Sequence, residues 1–119
     1  MSQFFVNSSS SSDAGLVWSN QSGSFSPTKN NGYFITGTST ATLPASPSTG
    51  DTISFNVVTS QILTIQTSGT QQIRLGNVIS TAGGTLINTL IGDSITLIYR
   101  SGDNDWHANA GTIGSWGAS

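Results

Sequence analysis

A chain of 119 residues holds one domain with one modest core. Only 7% of its residues are charged and its formal net charge is −2, so Lys29, Arg74 and Arg100 are too few to neutralise a phosphate backbone, which argues against nucleic acid as a partner. No apolar run approaches the roughly 20 residues that cross a bilayer, which argues against a membrane span, and the absence of cysteine removes disulfide frameworks and thiolate metal sites. Ser and Thr supply roughly a third of the chain, far above ordinary usage. Leu, Ile, Val and Phe remain frequent enough, and periodic enough, for a folded core. Abundant Thr and β-branched residues, with few Lys and no Glu, predict an all-β protein.

The amino terminus carries Phe4-Phe5-Val6, then Asn7 and a serine run from Ser8 to Ser12. It lacks the cationic start and long apolar stretch of a secretory signal. Serine runs behave as flexible linkers, so residues 1–13 are expected to form an extended arm. Phe4, Phe5 and Val6 are its candidate anchor, an apolar hook for a neighbouring subunit or another protein. Residues 14–119 are expected to form a single β domain.

Leu16-Val17-Trp18 opens the strand series, and residues 19–32 read as a long polar loop closing in an Asn31-Gly32 turn. Strands are predicted over Tyr33–Thr38 and Thr40–Leu43, after which Pro44 and Pro47 stop sheet pairing. Asp51–Val58 is a strong strand with Ile53, Phe55 and Val57 on one face. Gln61–Gln66 and Gln72–Leu75 follow, with Leu63, Ile65, Ile73 and Leu75 inward. A weak strand is expected around Leu86-Ile87. Asp93–Arg100 is the second strong strand, with Ile95, Leu97 and Tyr99 inward; Gly102-Asp103-Asn104 turns the chain back through Trp106, and Thr112–Trp116 ends the series.

One phrase occurs twice: Gly50-Asp51-Thr52-Ile53-Ser54-Phe55 and Gly92-Asp93-Ser94-Ile95-Thr96-Leu97. Each is turn chemistry opening into alternation at period two, the spacing that sends successive side chains to opposite faces of a strand. Short strands with turn signals every 8–12 residues predict a compact antiparallel sandwich, a jelly-roll-like fold or a small barrel.

Catalytic chemistry finds little to work with. A hydrolase triad would have to use His107, the only histidine, with Asp103 and Asp105 nearby; no Gly-x-Ser-x-Gly elbow supplies a nucleophile, and a surface histidine beside a hairpin explains it. Paired-carboxylate chemistry has no Glu, and Asp51 and Asp93 are accounted for as turn residues. Asp103-x-Asp105 lacks the glycine and distal glutamate of a calcium loop. The chain is read as a non-enzyme with no cofactor and no metal. For sugar contact, Trp18, Tyr33 and Trp106 are candidate stacking residues, with core packing the alternative for each.

The order of Asn31-Gly32-Tyr33, Leu43-Pro44 with Pro47, Gly50-Asp51-Thr52-Ile53, Gln71-Gln72-Ile73-Arg74-Leu75-Gly76, Gly92-Asp93-Ser94-Ile95-Thr96-Leu97, and Trp106 before Gly114-Ser115-Trp116 resembles a β-rich module of tailed-bacteriophage virion surface proteins. The resemblance covers about three quarters of the chain, from Asn31 onward. It implies a homotrimer with a hydroxyl-rich surface, made in the host cytoplasm and carried on the virion exterior. It transfers no functional residue. Without shaft repeats or a baseplate-attachment segment, a small module with a tether is expected to be a head-decoration (cement) protein whose partner is the major capsid protein or another virion protein. The alternative is a tail-fibre or receptor-binding tip domain that takes a host-surface glycan.

Overall fold

Two strands made from the repeated phrase pair with each other at the middle of the molecule. The computed structural model describes residues 15–109 and 111–119, and among these it has ten strands and no helix. In chain order they are β1 (Val17–Phe25), β2 (Asn31–Thr42), β3 (Thr52–Val57), β4 (Leu63–Gln66), β5 (Gln72–Leu75), β6 (Val78–Ile79), β7 (Thr85–Ile87), β8 (Ser94–Arg100), β9 (Asp105–Ala108) and β10 (Gly117–Ala118).

β3 and β8 are antiparallel, and Ser54 lies directly opposite Thr96. These two residues hold the same place in the two copies of the phrase, so an approximate local twofold axis runs between them. Ile53 faces Leu97 and Phe55 faces Ile95 across it, and all four are buried. The symmetry extends to the turns. The Gly50 amide donates to the Tyr99 carbonyl and the Gly92 amide to the Val57 carbonyl, while Tyr99 and Val57 donate back to Asp51 and Asp93. Gly50 and Gly92 both have positive φ, 96° and 87°, which glycine adopts without the clash a Cβ would bring.

β2 organises the rest. Residues 31–35 pair with β1 on one edge and with β3 on the other, and residues 39–42 pair with β4. Because β1 continues along its own edge to Ala41, β3 and β4 share the opposite edge in succession, and residues 58–62 loop away between them. Two wings therefore diverge from β2. One runs β3-β8-β9-β5-β6 and the other β4-β7-β10. They meet again where Gly83 N–H donates to the Gln71 carbonyl, giving a nearly closed, barrel-shaped sheet.

The expected all-β class and barrel architecture are present, and the alternation in β3, β4 and β8 places Ile53, Phe55, Val57, Leu63, Ile65, Ile95, Leu97 and Tyr99 in one core with Trp106 and Trp116. Several local expectations are corrected. β1 does not stop at Trp18 but runs to Phe25, and it lies parallel to β2 although only residues 26–30 join them. Asn31-Gly32 is not a turn: it begins β2, and the left-handed residue is Asn30, with φ 62°. Gly32 serves another purpose, since a Cβ there would lie 2.4 Å from the Trp18 indole.

Tyr33–Thr38 and Thr40–Leu43 are one continuous strand. Thr112–Trp116 forms only a single bridge, Ile113 to Ser94, and the last strand is Gly117–Ala118. The sheet is also mixed, with parallel pairs at β1–β2, β2–β3, β2–β4 and β5–β9. Period-two alternation is the same in parallel and antiparallel strands, so pattern alone carries no direction.

Candidate functional site

His107 sits on β9, opposite Ile98 on β8 and Arg74 on β5. Its Nε2 lies 2.9 Å from Asp103 Oδ2, which also accepts a 3.0 Å hydrogen bond from Arg100 Nη1. Asp105 points the other way: it is buried, pairs with Arg74 Nε and accepts from the Gln72 amide. The Asp105 hydrogen bond raises the Arg74 guanidinium above its ordinary pKa. Burial alone would push the Asp103 carboxyl up, but hydrogen bonds from Arg100 and His107 bring it below its ordinary value.

Histidine and aspartate are thus paired as a triad would pair them. Among the described residues, however, no serine or threonine hydroxyl bonds His107, and the cluster ties together a hairpin. No described group of three or more His, Asp or Glu side chains is arranged to hold a metal ion.

The two aspartates of the repeated phrase are structural. Asp51 Oδ2 accepts the Ser48 amide at 2.9 Å. Asp93 Oδ2 accepts the Leu90 and Thr89 amides, both at 2.9 Å, and the Thr89 hydroxyl at 3.2 Å. Both carboxylates cap the turn that precedes them, and the Asp51 and Asp93 amides return to the Ser48 and Leu90 carbonyls.

Of the three candidate sugar-stacking residues, two are core. Trp106 is completely buried and its Nε1 donates to Gln71 Oε1 at 3.0 Å. Tyr33 is buried between Phe25 and Phe55, with ring centroids 5.1 and 6.0 Å away, and its hydroxyl accepts the Thr28 amide. Neither ring offers a face to a sugar. Trp18 is half-exposed on the outer face, tilted against Phe34 at 4.8 Å. Beside this pair, Gly32 adjoins Ser54 and Phe34 adjoins Asn56 on β3. Phe4, Phe5 and Val6 lie outside the described residues.

The feature that composition did not announce lies where three loops meet. Val58 and Ile62 flank the 58–62 loop, Leu90 and Ile91 form the tip of the turn before β8, and Ile113 bridges to Ser94. Hydrogen bonds stitch the loops together: Gly92 N–H to the Val57 carbonyl, Asn88 Nδ2 to the Gln61 carbonyl, and the Thr89 hydroxyl to the Ser115 carbonyl. Of eight large apolar side chains exposed among the described residues, these five gather at one end of the barrel, with exposures from 42% to 68%. Among the described residues, the side-chain carboxylate at this end is that of Asp93, which is buried and spent on the turn. Together the five make an exposed apolar rim at that end. The sequence signal was available: each is an aliphatic residue in or next to a Gly, Asn, Ser or Thr turn, where a polar residue would serve.

A second concavity is an open cleft of about 680 Å³ bounded by Pro27, Thr28, Lys29, Pro44, Pro47 and Asp51. No protein-family model matches the chain, and no curated protein does.

Proposed function

We propose that this chain is a structural protein of a bacteriophage virion, a homotrimeric decoration protein bound to the capsid exterior, working by assembly rather than by catalysis. The observation that carries the reading is the rim of Val58, Ile62, Leu90, Ile91 and Ile113 on a small hydrogen-bonded barrel. Five exposed aliphatic side chains in a chain of 7% charge favour burial against another protein surface. The resemblance to virion modules points the same way, and among its residues Gly50-Asp51 and Gly92-Asp93 hold the turns that frame the central strand pair. Mixing the purified protein with heads stripped of their decoration tests the reading. It is expected to co-sediment with the heads and raise their resistance to heat; protein left wholly in the supernatant overturns it.

A second reading, a tip domain that takes a host-surface glycan, is favoured by the Trp18–Phe34 pair on the outer face beside Asn56. An aromatic platform flanked by an amide suits a sugar ring. A glycan array that lights up for the native protein and goes dark for Trp18→Ala supports this alternative, and a blank array for both removes it.

A further inference from the structure

We propose that the apolar rim of Val58, Ile62, Leu90, Ile91 and Ile113 is the docking site for the Phe4-Phe5-Val6 segment of a second copy of this chain. The inference rests on the self-association part of the reading above and is independent of what the assembly decorates.

The two surfaces match in chemistry. The rim is aliphatic, and Asp93, its side-chain carboxylate among the described residues, is buried and engaged by the Thr89 and Leu90 amides. Phe4-Phe5-Val6 is three consecutive large apolar residues, followed by the Ser8–Ser12 tether. A net charge of −2 gives two copies little electrostatic reason to stay apart.

Strand polarity sets the arm's starting point at the far end of the strand group from the chain's own rim, and the arm is assigned to the rim of a second copy. β1 runs parallel to β2, and β2 parallel to β3, so Val17 lies level with Asn31 and Ile53. The rim lies beyond the other end of β3, where Val58 N–H donates to the Ile35 carbonyl. The chain therefore enters β1 at the end of this strand group away from its own rim. Val6 and Leu16 are ten positions apart, and a fully extended segment of that length reaches about 33–36 Å. The domain measures 47 × 35 × 24 Å, so a tether of this length reaches onto an adjacent copy. Arm-to-rim is a heterologous contact, and such contacts close into rings when the rotation between copies allows it. A closed ring of three is the arrangement the proposed trimer needs.

The test uses the whole 119-residue chain with no other protein present. One variant carries Phe4→Ser and Phe5→Ser, the other Leu90→Asp and Ile91→Asp. All these rim positions are exposed, and thermal midpoints close to the parent's confirm folding; Leu90→Ser with Ile91→Ser replaces the rim variant if that check fails. Light scattering is expected to give an oligomer for the parent and the 12.3 kDa monomer for each variant alone. Mixed together, the arm variant supplies an intact rim and the rim variant an intact arm, so a 1:1 heterodimer is expected. A monomeric parent, an arm variant that keeps the parent's mass, or a mixture that stays monomeric overturns the proposal. A parent that forms the oligomer but stays in the supernatant when mixed with heads sinks the decoration role instead.

Discussion

The two aspartates of the repeated phrase are chemically alike and carry different loads. Asp51 is partly exposed and accepts one amide, from Ser48. Asp93 is buried and accepts three hydrogen bonds, two from amides and one from the Thr89 hydroxyl, while Gly114 leaves room for it: a Cβ there would lie 2.0 Å from its Oδ1. Hydrogen bonds to a charged acceptor contribute about 1.5–3 kcal/mol each, and stranding buried donors costs the full desolvation penalty. Asp93→Ala is therefore expected to destabilise the fold by about 3 kcal/mol or more, and Asp51→Ala by about 1 kcal/mol or less. Urea unfolding monitored by tryptophan fluorescence reads both. Equal losses would show that the turn, and not the buried carboxylate, holds the strand pair.

Among the elements, legibility followed alternation. β3 and β4 have hydroxyl or amide residues on one face and aliphatic or aromatic residues on the other, and β8 keeps the alternation of burial although Ile98 and Arg100 share its outer face with Ser94 and Thr96, so their inward faces were plain. β1 was cut short because Ser19, Asn20, Ser22 and Ser24 are exposed beside equally polar neighbours, leaving no face to detect. Asn31-Gly32 was misread because the same dipeptide suits a turn and a strand start; what decides is the Trp18 ring packed on Gly32. Val78–Ile79 escaped notice as a two-residue edge strand whose side chains are exposed.

The β8–β9 hairpin, foreseen at Gly102-Asp103-Asn104, carries a charge clamp that the sequence only hinted at. Its Asp103 carboxyl is held below the ordinary value of 3.8 because the Arg100 and His107 hydrogen bonds outweigh burial. A depressed folded pKa means that the unfolded chain takes up its proton first as pH falls. The stabilisation is therefore present above the ordinary aspartate range and is lost as pH drops through the lower folded value. Asp103→Asn is expected to flatten the acid limb of a plot of thermal midpoint against pH below about 5. Parallel curves for parent and variant would remove the clamp from the account.

At the scale of the molecule, the barrel is held closed at one seam. The core strands around β3 and β8 belong to both the local twofold and the main cluster, whereas the far edges of the two wings end in two-residue strands, β6 and β10. Between them, Gln66 Nε2 donates to the Thr67, Gly83 and Gly84 carbonyls, and the Ser119 backbone bonds Thr81 and Thr85. Gly84 is the tightest point: a Cβ there would lie 2.1 Å from the Ser119 carbonyl oxygen and 2.8 Å from that of Thr81. Backbone atoms on two sides cannot swing away as a side chain does, so Gly84→Ala must part the β7–β10 edge from the 81–84 turn. Local opening draws on the least-protected elements first. Hydrogen exchange in Gly84→Ala is expected to accelerate by about tenfold or more at Thr81, Thr85 and Ser119, an opening free energy lowered by about 1.4 kcal/mol, while Ile53, Phe55, Ile95 and Leu97 keep parental rates. Uniform acceleration across β3 and β8 would mean that the barrel opens as one unit and that the seam has no separate existence.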